Sequence, residues 1–369
     1  MNGALWLTPA VLALALASGC FAPVTEGKSD GGTGGGSGGS TGGSGGSAGG
    51  GAAGGGVAGQ WVTRAPLKVA RAEFATAVFD GRIYTFGGTT GSTVGIVEVY
   101  DPGLNEWAFG KSMPTPRRMA VAGVIGDRIY VVGGFKAEEN LDQITYTNVT
   151  EAYDPATNTW TTRAPPPFPV AFNTVLGNQF AAAAVLDGKL RVLLFDTQGN
   201  KAYDYDPGSD QWAAVQPPAP TVDAMQTALC QGALYVLSTG RWMGRGGDFT
   251  RLTPGPPDFW SNLAPLRPPS TGGSFVRREL AALAGTSSAV VAIGGAIHDY
   301  AVSAPTVVGS LDVFDLGTLS WKSAAPMLHP RQSLGAVSIG NTVYAIGGST
   351  GPFPTQIVPV PWVESFTVP

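Results

Sequence analysis

Short apolar runs broken by turn residues set the rhythm of this chain. Between Arg117 and Trp160, the runs Met119–Ile125 and Ile129–Val132 end at Gly126-Asp127 and Gly133-Gly134. A third run ends at Tyr153-Asp154-Pro155, and Trp160 opens a fourth. Runs of about four to eight residues, rich in Val, Ile and Tyr and bounded by Gly, Asp and Pro, predict strands of an antiparallel meander. One small four-stranded sheet cannot cover both its faces alone, so the pattern asks for further copies.

The copies are present. An Arg stands seventeen positions before the second Gly of a Gly-Gly pair four times: Arg71 with Gly87-Gly88, Arg117 with Gly133-Gly134, Arg278 with Gly294-Gly295, and Arg331 with Gly347-Gly348. A Tyr-Asp-Pro or Phe-Asp turn precedes a Trp at Tyr100 and Trp107, Tyr153 and Trp160, Tyr205 and Trp212, and Phe314 and Trp321, while Trp260 ends a weaker copy. From Trp61 to Trp321 these Trp residues lie 46, 53, 52, 48 and 61 apart, a period that suits propeller blades of four strands.

Arg, apolar strand, turn, Ile-Tyr-Val-Val-Gly-Gly, loop, Tyr-Asp-Pro and Trp together resemble the kelch repeat, over about residues 60 to 369. The resemblance implies an all-β, kelch-type β-propeller. It leaves function open, because propellers host enzymes, adaptors and structural proteins. Gln60-Trp61-Val62-Thr63-Arg64 matches a fourth strand and Val363-Glu364-Ser365-Phe366 a third, so the two termini are expected to complete one blade of six and close the ring. Blades three and four depart from the repeat: Leu194-Phe195-Asp196 and Ser238-Thr239-Gly240 replace Gly-Gly, and Gln179 and Asp223 replace Arg. Gly-Gly is read as a turn of positive φ and close backbone approach. The Trp rings are read as wedges between blades, and each Arg as a structural group bonded to backbone or acidic partners.

The N-terminus changes the picture of where such a domain works. Ala4–Ala17 is mostly apolar and too short for a mature membrane span, and it ends Leu-Ala-Leu-Ala-Ser-Gly-Cys at Cys20. Small residues before a Cys resemble a bacterial lipobox, which implies lipid on Cys20 and attachment to a membrane. An ordinary secretory signal is the alternative, and either places the mature chain outside the cytoplasm, in the bacterial cell envelope or secreted. Eighteen of the 29 residues from Gly31 to Gly59 are Gly, a flexible coil of about 30 Å end to end. The organisation read from sequence is a signal peptide over 1–20, a tether over 21–59 and the propeller over 60–369. A net charge of −4 with 13% charged residues gives no basic footprint for nucleic acid.

Candidate chemistry is sparse, and no cofactor or metal is expected. His298 and His329 are read as solvated loop residues on one face of adjacent blades, with a shared metal or acid–base site as the sharper alternative. Cys230 sits in an apolar run and reads as a buried strand residue. A galactose-oxidase-like copper site would need two His and two Tyr ligands plus a Cys joined to a Tyr, and the one Cys left after processing is this buried Cys230; Asn148-Val149-Thr150 fits a glycosylation acceptor. Kelch domains often bind through the face formed by the loops before each first strand and after each Gly-Gly. On that resemblance the contact residues are Thr89, Phe135, Lys136, Gln198, Arg241, Trp242, His298, Asp299, Tyr300, Ser349 and Thr350. The long loops Phe135–Thr150 and Ala296–Ser310 are favoured for contacts. Residues two beyond the Arg position (Glu73, Met119, Ala181, Met225, Leu280, Ser333) are expected near the channel. The reading is a membrane-anchored, non-catalytic scaffold for a protein or carbohydrate ligand. Its alternative is an extracytoplasmic sugar-active enzyme, similar to sialic acid epimerases or carbohydrate oxidases, drawing on Glu73, Asp223, His298, His329 and the Arg set.

Overall fold

The computed structural model describes residues 57–137, 144–167, 182–196, 199–217, 225–238, 248–255, 257–266, 276–299, 305–351 and 356–369. Cys20 and the expected tether lie outside them except for residues 57–59, which pack on the propeller, so the domain starts at Val57 and not at Gln60. Six four-stranded antiparallel sheets follow one another, with inner strands Ala75–Phe79, Val121–Ile125, Ala182–Leu186, Met225–Cys230, Ala282–Gly285 and Gly335–Ile339. Each inner strand contacts the inner strands of both neighbouring blades, the sixth touching the first, so the ring is closed. Trp61–Arg64 is the outer strand of blade six, paired antiparallel with Val363–Thr367, with Trp61 opposite Phe366. The terminal strands therefore complete one blade, as the sequence pattern predicts. The chain is seated before Gln60: Val57 N donates to Ser323 O at 3.2 Å on the outer strand of blade five.

Local chemistry makes the strands turn. In blades one, three and four the inner and second strands are joined by two-residue turns in which both residues have positive φ, as at Asp80-Gly81 (49° and 69°) and Asp187-Gly188 (49° and 73°), the geometry that suits twisted hairpins. Third and fourth strands are joined through Asp101, Asp154, Asp206 and Asp315, whose Oδ1 accepts two successive backbone N–H groups. The Gly-Gly pairs turn because a neighbour passes close by. Gly88 has φ +95°, a Cβ there would lie 2.5 Å from Ala72 O, and its N–H donates to Arg117 O of the next blade at 3.0 Å.

The hydrophobic core is divided into six clusters, each built from two adjacent blades. The Trp residues stand in these seams as expected, and each also carries a directional bond. Trp61, Trp107, Trp160, Trp212 and Trp321 donate Nε1–H to the carbonyls of Ala325, Ala65, Lys111, Ala164 and Ala264, at 2.7–3.0 Å. The acceptor is always the residue four beyond the preceding blade's own Trp. That residue's N–H also donates to Asn105, Asn158 or Asp210 at three seams, so strand end and turn are clamped twice. Blade four departs, as its weak motif suggests: Trp260 Nε1 is buried with no hydrogen-bond partner among the described residues. At the same seam Arg191 stands where blades one, two and six carry Tyr84, Tyr130 and Tyr344, and it bonds Asp204 at 2.8 Å and Asp258 across the seam at 2.5 Å.

The recurring Arg is a keystone inside each regular blade. Arg71, Arg117 and Arg331 are fully buried, and each pairs with a carboxylate on the third strand: Glu98 at 3.2 Å, Glu151 at 2.5 Å and Glu364 at 3.1 Å. Arg278 pairs with Asp312 in the same way. Arg71, Arg278 and Arg331 also donate to the carbonyl of the first Gly of their Gly-Gly pair, at 2.6–2.8 Å. Burial pulls these four guanidinium groups down from their ordinary value, with the carboxylates opposing it. Bonding of this density assigns the Arg set to structure.

Candidate functional site

The face at which inner strands begin and second strands end is built from the residues around each Arg. The residue two beyond Arg takes the left-handed conformation at Glu73, Met119, Leu280 and Ser333, with φ between 52° and 59°. These four are joined across the seams: Ser333 N–H donates to Leu280 O at 3.2 Å, Glu73 N–H to Ser333 O at 3.1 Å, and Met119 N–H to Glu73 O at 2.8 Å. They line the mouth of a central cavity of about 250 Å³, as the sequence predicts. Ala181 lies outside the described residues, and Met225 opens an inner strand whose side chain there is not described. Below the mouth the wall is mostly Ala, Val and Gly.

The residue after Gly-Gly has a different role from the one expected. Thr89, Phe135 and Ser349 form antiparallel bridges with the residues after Arg, namely Ala72, Arg118 and Gln332. The bridges bury them to 0, 4 and 2% exposure, so they hold the loop bases and are withdrawn from the contact surface. Lys136 is exposed, and Thr350 is half-buried with its N–H bonded to Val358 O at 3.1 Å. His298 and Asp299 end the strand Ala296–Asp299, opposite Arg277 and Val276. Gln198, Arg241, Trp242 and Tyr300 lie outside the described residues.

Both long loops become small sheets on this face. In blade two, Phe135–Ala137 pairs with Ile144–Tyr146; in blade five, Ala296–Asp299 pairs with Val276–Glu279 and Thr306–Val307. Blades two and five are opposite each other in a ring of six, so the sheets flank the mouth from two sides. The first is braced by blade one, where Thr93 Oγ1 donates to Ala137 O at 2.9 Å and accepts from Ala137 N–H at 3.1 Å.

Chemistry at the mouth comes from Glu73, which the sequence places near the channel, and from Arg118, which sequence reasoning passed over. Arg118 follows the keystone Arg117 and reaches across the seam, placing Nε 2.5 Å from Oε2 of Glu73. Their side chains are 1% and 2% exposed. The Arg118 guanidinium also lies over the Phe135 ring at 5.1 Å. Burial pushes the Glu73 carboxyl up, against the opposing charge and hydrogen bond of Arg118. The signal was available: the position after Arg reads Ala72, Arg118, Glu279 and Gln332, an irregular set in an otherwise regular motif.

His329 is accounted for by the repeat. Its Nδ1 lies 2.5 Å from Glu364 Oε1 and its ring stacks on Trp362 at 4.4 Å. It occupies the place of Thr115, whose hydroxyl donates to Glu151 at 2.9 Å in blade two. His329 is thus a solvated loop residue as expected, its side chain 41% exposed, and it also supports the third-strand carboxylate of the closing blade. Among the described residues, no group of three His, Cys, Asp or Glu side chains is arranged to hold a metal ion. Cys230 is buried in its strand, with Sγ 2.6 Å from Thr286 O.

Comparisons with known proteins agree with this geometry. The family model described as the kelch motif matches residues 70–114 and 116–167. Beta-scruin of Limulus polyphemus is 36% identical over 117 residues, which are 31% of this chain and 13% of that protein. Kelch-like protein terF of Aspergillus terreus is 28% identical over 54% of this chain and 43% of its own length, and Kelch-like protein 35 of Mus musculus is 27% identical over 48% and 28%. The chain thus spans less than half the length of these relatives. The solved structure of YjhT superposes with a TM-score of 0.63 at 15% identity, covering 82% of this chain and 94% of that one, a likeness of fold.

Proposed function

Because this chain belongs to the kelch-repeat family, we propose that it is a non-catalytic scaffold that binds another macromolecule through the loop face of its propeller. The observation that carries this is the pair of small sheets raised on opposite blades around one channel mouth. Rigid supports of this kind present a partner with a pre-organised surface and keep the ordering cost of binding low. The cavity favours binding over turnover. Glu73 is its one titratable lining residue among those described, whereas acid–base chemistry on a sugar takes two groups working together. The same proposal places the propeller outside the cytoplasm, held by lipid on Cys20 and spaced from the membrane by the Gly-rich tether.

The test is capture of a partner from a surface extract and on a glycan array by the full chain, with metal content measured on the same sample. A specific partner whose binding falls at least about tenfold in Lys136→Glu supports the loop-face reading. Stoichiometric copper or zinc with no partner would replace it with the sugar-active enzyme. Labelling of Cys20 by a clickable fatty acid in a bacterial host, absent in Cys20→Ala, tests the anchor.

A further inference from the structure

The seams of the ring are not fastened alike. Between blades six and one, one and two, and two and three, the clamp has two parts. The Trp Nε1–H donates to the carbonyl of Ala65, Lys111 or Ala164, and the Asn or Asp two residues before that Trp accepts the N–H of the same residue. The seams four–five and five–six keep the Trp half, through Trp321 to Ala264 O and Trp61 to Ala325 O. The seam between blades three and four has neither part. Trp260 Nε1 is buried and meets no acceptor among the described residues. Asp258, two residues before Trp260, accepts instead from Arg191 of blade three at 2.5 Å and from the Gly255 N–H of its own turn at 3.2 Å.

The two blades that meet there are also the two without a keystone. Gln179 and Asp223 stand at their Arg positions. In blade one the keystone carboxylate Glu98 faces Thr85; at the same register blade three has Tyr203 facing Val192, and blade four has Thr250 facing Val236. Arg191 holds Asp204 of its own blade through two bonds of 2.8 Å, and the third bond, to Asp258, is the tie across the rim side of the seam. Arg191 and Asp258 are 9% and 18% exposed, so water reaches this pair, and a pair in contact with water holds less firmly than a buried one. The shaft side is held differently. Thr227 Oγ1 donates to Ala183 O at 2.9 Å between the two inner strands, beside the apolar cluster of Ala184, Leu193, Leu234 and Leu252.

We propose that the seam between blades three and four is a hinged joint at which the native propeller opens. The blades pivot on the shaft side, at Thr227 and Ala183, and part on the rim side when Arg191 releases Asp258. The other five seams stay closed, each held by its Trp–carbonyl bond. The terminal strands do not separate, because blade six keeps its keystone pair Arg331–Glu364 and the chain is fastened at Val57. Opening breaks one ion pair and wets Trp260, and it leaves every four-stranded sheet intact, so it belongs to the low-energy end of native-state motion. Its place in the ring matters. The joint lies midway on the arc between blades two and five, which carry the raised sheets, so parting there turns those sheets relative to each other. A partner that spans both sheets therefore sets the joint by its preference for one spacing. That consequence rests on the loop-face reading; the joint itself does not.

The Trp side chains are the reporters. Hydrogen exchange at each indole Nε1–H is followed by NMR in the full chain, since a buried N–H exchanges when its own seam opens. Arg191→Met is expected to speed exchange at Trp260 at least about tenfold and to leave Trp61, Trp107, Trp160, Trp212 and Trp321 within about twofold of the wild type. Arg191→Tyr combined with Asp204→Val and Asp258→Asn installs the neutral residues that a regular seam carries at Tyr84, Val99 and Asn105. That variant should slow Trp260 at least about tenfold. Acceleration spread evenly over all six signals makes Arg191 a support of the whole fold and overturns the joint. Unchanged exchange at Trp260 in Arg191→Met, or a triple variant no slower than the wild type, also overturns it. Should Arg191→Met fail to fold, Asp258→Asn, which keeps an acceptor oxygen and removes the charge, is judged by the same two criteria. If a partner is captured through Lys136 and Trp260 behaves like the other Trp residues, the loop-face reading stands and the joint falls. If Trp260 responds alone and no partner is captured, the joint stands and the scaffold reading falls.

Discussion

Glu364 is where the keystone logic can be tested most severely, because its strand closes the ring. Its carboxylate is 1% exposed, lies 3.1 Å from the fully buried Arg331, and takes His329 on its other oxygen at 2.5 Å. Glu364→Gln keeps the shape and one acceptor oxygen but leaves the Arg331 charge uncompensated in the interior. Removing one partner of a buried pair costs about 3–5 kcal/mol, and the retained oxygen puts this variant near 3. Replacing both partners, as in Arg331→Met with Glu364→Leu, removes the stranded charge. The backbone carbonyls of His329, Ala345 and Gly347 then lose a bond each, from donors now at 2.7, 3.0 and 2.8 Å. The double variant is therefore expected to be less destabilised than the sum of the single changes by at least about 2 kcal/mol. An exposed pair gives the scale: Arg82 and Asp101 are 53% and 29% exposed at 3.1 Å, so Arg82→Ala should cost under about 1 kcal/mol. Guanidinium chloride unfolding followed by Trp fluorescence reads Glu364→Gln, Arg331→Met, Glu364→Leu, the double variant and Arg82→Ala. The reasoning fails if Glu364→Gln is no worse than Arg82→Ala, or if the two keystone changes simply add.

Two further outcomes follow from the seams and the mouth. Trp107→Phe loses the 2.8 Å bond to Ala65 O, whereas Trp260→Phe loses none, so after allowance for ring size the former should cost about 1 kcal/mol more in the same unfolding assay. Burial raises the Glu73 carboxyl above its ordinary value in the folded chain. Its protonated form therefore favours folding at low pH, and that contribution is lost as pH rises from the ordinary carboxylate range through the raised folded value. The stability difference between the wild type and Glu73→Gln should accordingly fall with rising pH across that window, and a flat difference between their pH–stability curves would contradict it.

Much of the fold was legible because each motif answers a local backbone demand that recurs. Gly88 must hold φ +95° against a passing carbonyl, and Asp101 must cap two N–H groups of its own turn. Such demands leave fixed spacings. The keystone carboxylates leave none: Glu98, Glu151, Asp312 and Glu364 stand 27, 34, 34 and 33 residues beyond their Arg, because the loop between them varies. The site was legible in outline only. Lys136 is exposed, as a loop residue should be, but Thr89, Phe135 and Ser349 are buried, since a residue just past Gly-Gly looks like loop and is paired as strand. Arg118 was missed because its neighbour Arg117 satisfied the motif and hid it.

The seating of Val57 has a mechanical consequence. A pull on the N-terminal segment does not arrive first at the strand that closes the ring. It meets the bond from Val57 N–H to Ser323 O, the ring of Phe366 packed where Gly59 has no side chain, and the bond from Trp61 Nε1–H to Ala325 O. Two of these three attachments are to blade five, so part of the load passes into a sheet that contains neither terminus. The outer strand Trp61–Arg64 is thus shielded from peeling by a fastening just upstream of it, and a pull from that side does not unzip the ring.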